Sequence, residues 1–165
     1  MVAQKKIPAE EERIRQILDN VPDPEIPVLS VNDLGVVREI KVIESSAEIE
    51  IHITPTYSGC PAMDVIAANI RMELAAAGSR DAHIKTILSP AWTTDWISEA
   101  AREKLRVYGI APPQKTTSAG LFAEAPIVEC PQCHSLNACR ISEFGSTACK
   151  SLYQCRDCGQ PFDFF

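Results

Sequence analysis

The chain has 165 residues and a formal net charge of −6. That length exceeds one small domain and falls short of two full ones. No apolar run approaches the ~18 residues of a membrane-spanning helix, and the acidic excess argues against nucleic acid, which calls for a basic face.

Taken in chain order, Met1–Pro8 carries two lysines and no apolar stretch, which predicts no secretory signal and a cytoplasmic protein. Pro8 and the run Glu10-Glu11-Glu12 predict a helix start, with acids at the positive end of the dipole. Ile14, Ile17, Leu18 and Val21 supply its buried face. Asp23-Pro24-Glu25-Ile26-Pro27 stops that helix, because each proline biases its predecessor away from the α region. A strand is expected from Leu34 to Ile43. In a second strand Ala47, Ile49, Ile51 and Ile53 alternate with Glu48, Glu50 and His52, the pattern of a half-buried antiparallel strand. A Glu44-Ser45-Ser46 turn would join the two.

Past the Thr54–Gly59 loop, Pro61 is expected to open a helix with Met63, Ile66, Ala67, Ile70 and Leu74 on one side and Gly78 at its end. Residues 82–88 read as a third strand. A loop carrying Trp92 and Trp96 follows, then a third helix over about residues 95–108, closed by Gly109. The order α-β-β-α-β-α predicts an α+β domain over residues 1–110, a small mixed β-sheet covered by helices. The prolines, threonines and Ser-Ala-Gly of residues 111–126 predict a linker. Residues 127–165 are too few for a core alone to suffice, so a metal or disulfides must hold them.

Cysteine usage decides between those two. Six of the seven cysteines lie between Cys130 and Cys158, and the paired Cys-x-x-Cys motifs of a chain without export favour metal. Cys130-Pro131-Gln132-Cys133 and Cys155-Arg156-Asp157-Cys158 each deliver two thiolates from one tight turn. The 21 residues between them fit a hairpin-based zinc ribbon. Zinc is favoured over a rubredoxin-type iron, and its expected role is to fold the tail. Cys139 and Cys149 fall outside the knuckles and read as small buried residues, and His134 reads as a turn residue. The tail holds Arg140, Lys150 and Arg156 against Glu129, Glu143, Asp157 and Asp163, so it has no basic stripe and a protein partner suits it better than a phosphate backbone.

Cys60 stands alone in Tyr57-Ser58-Gly59-Cys60-Pro61. With Pro61 first in the helix, Cys60 occupies the N-cap, where free backbone N–H groups favour the thiolate that attacks or ligates metal. An inert cap thiol is the competing reading. Asp23, Glu25, Asp33 and Asp64 could supply hard ligands, with solvation or capping as their default. Neither His52 nor His83 completes a nucleophilic triad, so a thiol-dependent enzyme lacks its base, and no catalytic residue is assigned. The Trp92/Trp96 pair suits a core lid better than a substrate platform.

Asp23-Pro24-Glu25-Ile26-Pro27, Val31-Asn32-Asp33-Leu34-Gly35 and Thr54-Pro55-Thr56-Tyr57-Ser58-Gly59-Cys60-Pro61 resemble the SufT-like metal–sulfur cluster biosynthesis domain. With Pro90–Trp96, Ser142–Lys150 and the ribbon behind them, the chain is similar to the PaaD family over about residues 12–164. These are the D subunits of phenylacetyl-CoA epoxidase (ring-1,2-epoxidase) systems. The resemblance implies an auxiliary protein of aerobic phenylacetate degradation, without catalysis of its own, that assembles or repairs a metal centre. That centre would be the iron–sulfur cluster of the reductase or the di-iron site of the oxygenase, and those subunits the partners. It implies Cys60 as the functional thiol, a transient ligand for iron or an iron–sulfur cluster, with Asp23 and Glu25 as supporting acids. Structural zinc would sit on Cys130, Cys133, Cys155 and Cys158. The rival reading is a stable, non-catalytic structural subunit of the oxygenase.

Overall fold

The computed structural model describes residues 7–43, 48–79, 81–114 and 126–165. They form two compact units, Met1–Trp92 and Thr93–Phe165.

In the first unit, α1 (Ile7–Leu18) buries Ile14 and Leu18, with Val21 following in the turn. β1 (Val37–Ile43) pairs antiparallel with β2 (Glu48–Ile53), and β2 pairs parallel with β3 (Ala82–Thr86). The sheet order β1-β2-β3 is therefore mixed with β2 in the centre, as the α+β reading expects. β2 carries the strongest pattern in the chain: Ile49, Ile51 and Ile53 are buried while Glu48, Glu50 and His52 sit on the other face. α2 (Ala62–Ala76) connects the two parallel strands and buries Ala62, Ile66, Ile70 and Leu74, one position per turn. The predicted 44–46 turn lies outside the described residues.

The strand expected over 82–88 ends at Thr86, and two other boundaries move for a local reason. β1 begins at Val37 rather than Leu34, because residues 31–35 are folded into turns. Ser30 Oγ accepts from Asp33 N–H at 3.1 Å while Asp33 Oδ2 accepts from Ser30 N–H at 3.0 Å, a reciprocal cap that draws Leu34 N–H onto Ser30 O. Leu34 and Val36 are buried by that turn instead of by a strand. The expected helix over 95–108 divides into a single 3₁₀ turn, Thr94–Trp96, and α3 (Glu99–Tyr108). Ser98 caps α3 by accepting from Ala101 N–H at 3.0 Å, and Gly109 ends it in the left-handed region at φ 95°.

α3 belongs to the second unit with three antiparallel strands: β4 (Ala138–Ser142), β5 (Ser151–Cys155) and β6 (Pro161–Phe164), in that order. The segment after α3 adds to the free edge of β6. Ala111 N–H donates to Asp163 O at 2.8 Å, and Ala111 O accepts from Phe165 N–H at 3.0 Å. A small core of Ala111, Val128, Cys130, Tyr153, Cys155 and Phe162 lies in this unit. Residues 115–125 of the predicted linker lie outside the described residues.

The Ser142–Lys150 motif has a structural explanation here. Gly145 N–H donates to Lys150 O at 2.6 Å, closing the β4–β5 loop. The buried Lys150 ammonium lies 3.6 Å from Asp163, whose carboxylate also accepts from Ser146 Oγ at 2.7 Å. A Cβ at Gly145 would collide with that carboxylate.

Candidate functional site

Two loops of the first unit bring the sequence-predicted acids to the lone thiol. The β2–α2 connection turns at Tyr57–Cys60, where Cys60 N–H donates to Tyr57 O at 3.3 Å and Gly59 takes φ 84°. That conformation favours glycine, and the space a Cβ would enter is open to 4 Å. The turn sets the Tyr57 side chain in hydrogen-bonding range of the half-buried Cys60 thiol. Tyr57 is the residue at this site that reading the chain passed over. The signal for it was the i, i+3 spacing across a Tyr-Ser-Gly-Cys turn.

The acids arrive on the loop after α1. Asp23, 7% exposed, accepts from the N–H groups of both Glu25 and Ile26 at 2.8 Å through Oδ1. Its own N–H donates to Leu29 O at 2.8 Å. The Asp-Pro-Glu motif is thus a side-chain-closed turn, and the turn presents Glu25. Asn32 ties the following loop to α1 through Arg15 O at 2.8 Å and Asp19 at 2.7 Å, and Trp92 Nε1–H donates to Leu34 O at 2.9 Å. Trp92 thereby clamps the Asp33-Leu34-Gly35 turn. Of the remaining candidate acids, Asp33 caps Ser30 and Asp64 lies exposed in the first turn of α2.

The thiol itself differs from the sequence-based expectation. α2 begins at Ala62 with Pro61 at its N-cap in the α conformation, so Cys60 stands one residue ahead of the cap. Burial is the largest influence on the thiol and pushes its pKa above the ordinary value. The Ala62 N–H and the Tyr57 side chain pull down, and the charges of Glu25 and then Asp23 push up. The net direction is up, so at neutral pH Cys60 is a protonated thiol and not a thiolate. Glu25, Asp23 and Cys60 do not form a ready-made metal cage. Among the described residues only one group of three or more His, Cys, Asp or Glu side chains converges within 4.8 Å, and it is in the second unit.

That group is Cys130, Cys133, Cys155 and Cys158, two per knuckle. The Sγ atoms of Cys130 and Cys158 are 3.8 Å apart and those of Cys133 and Cys155 are 3.5 Å apart. A tetrahedron with the Zn–S length of about 2.3 Å puts neighbouring sulfurs about 3.8 Å apart, so the four thiols fit a metal. Turn geometry builds the site. His134 N–H donates to Cys130 O at 2.9 Å and Gly159 N–H to Cys155 O at 3.0 Å, with positive φ at both His134 and Gly159. The His134 ring reaches Glu129 at 2.7 Å, as suits a turn residue.

Backbone N–H groups also prepare the sulfurs for negative charge. Those of Cys158 and Asp157 pull Cys155 down to about 6 against its desolvation. At Cys133 the Ser135 N–H is the largest single influence and lowers the pKa. Desolvation and hydrogen bonds from Cys155, Cys158 and Cys130 together outweigh it and push the thiol up to about 12. Four crowded thiols thus compete for their protons, and a cation that replaces those protons relieves the competition. Cys139 and Cys149 stay outside, reaching Gln154 O at 3.7 Å and Thr147 Oγ1 at 3.1 Å.

A third polar cluster covers the open face of the sheet in the first unit. His52 lies between Glu39 at 3.0 Å and Glu50 at 2.7 Å, and Glu50 also pairs with Lys85. Hydrogen bonds from Lys85 first and His52 second hold Glu50 down at about 2. The pairing follows from register, since His52 and Lys85 are Cα partners across β2 and β3. It is an ion network on a strand face and supplies no triad.

Comparison with known proteins matches both halves of the chain. Residues 11–85 match the iron–sulfur cluster assembly protein family, and residues 114–165 match the PaaD zinc beta ribbon domain. The chain is 35% identical to the "Fe-S protein maturation auxiliary factor" of Porphyromonas gingivalis, over 58% of its own length and 90% of that protein. Its fold resembles the crystal structure of a domain of unknown function from Bacillus anthracis, with a TM-score of 0.58 and 23% identity, covering 62% of this chain and 97% of that one. Among the described residues no helix is long and apolar enough to cross a membrane. It is 47% identical to the D subunit of the "Putative 1,2-phenylacetyl-CoA epoxidase" of Escherichia coli, over 96% of this chain and 93% of that protein, and with the Cys130–Cys158 ribbon behind an iron–sulfur-assembly domain the chain belongs to the PaaD family.

Proposed function

We propose that the protein is an accessory factor of a phenylacetyl-CoA epoxidase system that assembles or repairs a metal centre in its partner subunits. That centre is the iron–sulfur cluster of the reductase or the di-iron site of the oxygenase. In this reading Cys60 is the transient ligand for incoming iron or cluster, and Glu25 and Asp23 draw the cation toward it. Cys130, Cys133, Cys155 and Cys158 hold a structural zinc. The cargo passes through the cytoplasm, where thiols stay reduced.

The observation that supports the reading is the placement of Cys60 under the influence of Glu25 and Asp23, within the stretch that matches the iron–sulfur assembly family. A protonated thiol beside two carboxylates suits temporary custody. A thiophilic cation binds by displacing the thiol proton, and its charge is partly met by the acids. With no cage of four ligands around Cys60 among the described residues, the cation keeps open positions for the client's own side chains.

The test is anaerobic metal analysis with absorption spectra on wild type and Cys60→Ser, paired with epoxidase activity in cells carrying each. One zinc in both proteins, iron in wild type alone and loss of activity with Cys60→Ser support the assignment. Full epoxidase activity with Cys60→Ser would sink it. If the variant is fully active and the protein co-purifies stoichiometrically with the oxygenase, the structural-subunit reading takes its place.

A further inference from the structure

The outward face of α2 carries an apolar stripe that is complementary to itself. One side of the helix, Ala62, Ile66, Ile70 and Leu74, is buried in the first unit. On the opposite side Pro61, Val65, Ala68, Met72 and Ala75 are all exposed, Val65 by 47% and Met72 by 69%. Seven residues make nearly two full turns, with a drift of about 20°. Pro61, Ala68 and Ala75 therefore form one row, and Val65 and Met72 a second row beside it.

Asp64 and Arg71 flank the stripe. They are exposed and also seven positions apart, so they lie on the same side of it, roughly 10 Å from each other along the axis. That is beyond the i, i+3 and i, i+4 reach of ion pairs within a helix. Among the described residues neither side chain has a hydrogen bond or ion pair. The helix dipole favours Asp64 in the first turn and gives nothing to Arg71, which precedes the last turn.

A second copy of α2 laid antiparallel on the first, with a two-fold axis at Ala68, answers each of these features. Antiparallel helices bring like flanks together, so the Asp64 of each copy meets the Arg71 of the other. Val65 of one copy falls between Ala68 and Met72 of the second, and Pro61 falls against Ala75. Large side chains face small ones, and alanine on the axis lets the helices approach to about 8 Å, the near end of helix packing distances. A patch that pairs with its own two-fold image is the mark of an isologous dimer. A parallel pair would set this flank against the opposite one, where α2 offers Asp64 no base.

We propose that the protein self-associates through this face as an antiparallel, two-fold α2–α2 dimer with reciprocal Asp64–Arg71 ion pairs. The helix has 15 residues, about 22 Å of contact. An interface of that length is at the low end of the size range, so the dimer forms and parts reversibly. Cys60 stands just ahead of the stripe, and the two thiols of the dimer are roughly 24 Å apart along the axes, one at each end. They are too distant to share one ion or cluster. The inference does not depend on what Cys60 carries.

The experiment is sedimentation equilibrium of the full-length, metal-loaded protein under reducing conditions, from about 10 µM to about 1 mM, the range in which a small interface is populated. The expected result is a monomer–dimer equilibrium. Asp64→Arg alone and Arg71→Asp alone should each weaken it by about tenfold or more, because both exposed pairs become repulsive. An equimolar mixture of the two single variants should recover pairing, since every contact across the axis is again between opposite charges. The double variant Asp64→Arg/Arg71→Asp should associate like wild type. Ala68→Glu, which sets two like charges on the axis, should abolish the dimer. Amide spectra of the variants separate lost pairing from lost fold. A wild-type protein that stays monomeric at the highest concentration overturns the proposal. A dimer indifferent to the charge reversals or to Ala68→Glu also overturns it and gives the contact to another face. Reversals that weaken the dimer without recovery in the mixture overturn the antiparallel register.

Discussion

Removing the metal from the four cysteines should unfold β4, β5 and β6 and leave the first unit intact. The strands hold five, five and four residues. At about 1–2 kcal/mol of backbone entropy per residue, ordering them costs about 14–28 kcal/mol. The large buried side chains of the ribbon core are Val128, Tyr153 and Phe162. Each contributes about 1.5–3 kcal/mol, or about 5–9 kcal/mol together. Two of the other three core members, Cys130 and Cys155, are ligands themselves, and without metal they are polarisable sulfurs buried beside one another. Strand hydrogen bonds replace hydrogen bonds to water and add little net. The shortfall is on the scale of the about 10–16 kcal/mol that structural zinc supplies in small peptides.

The assay is a two-dimensional amide spectrum of the full chain before and after anaerobic chelation, with zinc release measured in parallel. One zinc per chain should leave, and the amides of residues 126–165 should collapse into the random-coil region while those of β2 and α2 keep their positions. α3, grouped with the ribbon unit, should change with it. Dispersed ribbon amides after complete metal loss would refute the reasoning, because the small core would then suffice alone.

Alkylation of Cys60 should accelerate with pH through a midpoint above the ordinary thiol value, and Glu25→Gln should move that midpoint down, since the Glu25 charge is the larger of the two carboxylate influences. A midpoint below the ordinary value, read from iodoacetamide kinetics, would contradict the burial argument. The same shift sets a stability direction. The unfolded chain releases its thiol proton first as pH rises, so this contribution is complete below the ordinary thiol pKa and lost as pH climbs through the raised one. Glu50 works in the opposite sense. Held at about 2 against an ordinary 4.5, it stabilises above pH 4.5, and that support disappears as pH falls toward 2. Acid titration of Glu50→Gln should lack this component. Gly145→Ala should cost about 1–3 kcal/mol in thermal unfolding of the second unit, because the new Cβ displaces the Asp163 carboxylate from Ser146 and Lys150. Lys150→Met should cost a similar amount by leaving that carboxylate without its cation.

The parts of this protein that could be read from the chain are those whose cause is local. β2 declares itself because every second residue is an isoleucine and the rest are polar, and burial follows that alternation. The metal site declares itself because each knuckle sets two sulfurs within four residues. What escaped detection depends on register or on distant pairing. Lys85 meets Glu50 only because β3 runs parallel to β2 at one offset. Ala111 looked like the start of a linker, and its strand-like bonds to Asp163 and Phe165 join residues more than fifty positions apart. Arg102 on α3 is buried, and its bond to Pro113 O comes from a segment eleven positions further along the chain.

The thiol is the instructive case, because both influences on it could be foreseen and only their balance could not. A helix N-terminus favours a nearby anion by about 0.3–1 kcal/mol at an exposed site, and the Ala62 N–H does act on Cys60 in that sense. Burial opposes it, and two carboxylates delivered by the Asp23 turn add to the opposition. Those acids lie more than thirty positions upstream, so their effect on the thiol enters only with the fold. Their presence changes what Cys60 can do. A thiolate activated by the helix would attack electrophiles and oxidise readily. A protonated thiol under negative potential is quiet toward both, and under the proposed function it would ligate only when a cation arrives, offsets the carboxylates and takes the place of the proton. In the proposed role, the arrangement that blunts Cys60 as a nucleophile would also make its ligation conditional on metal.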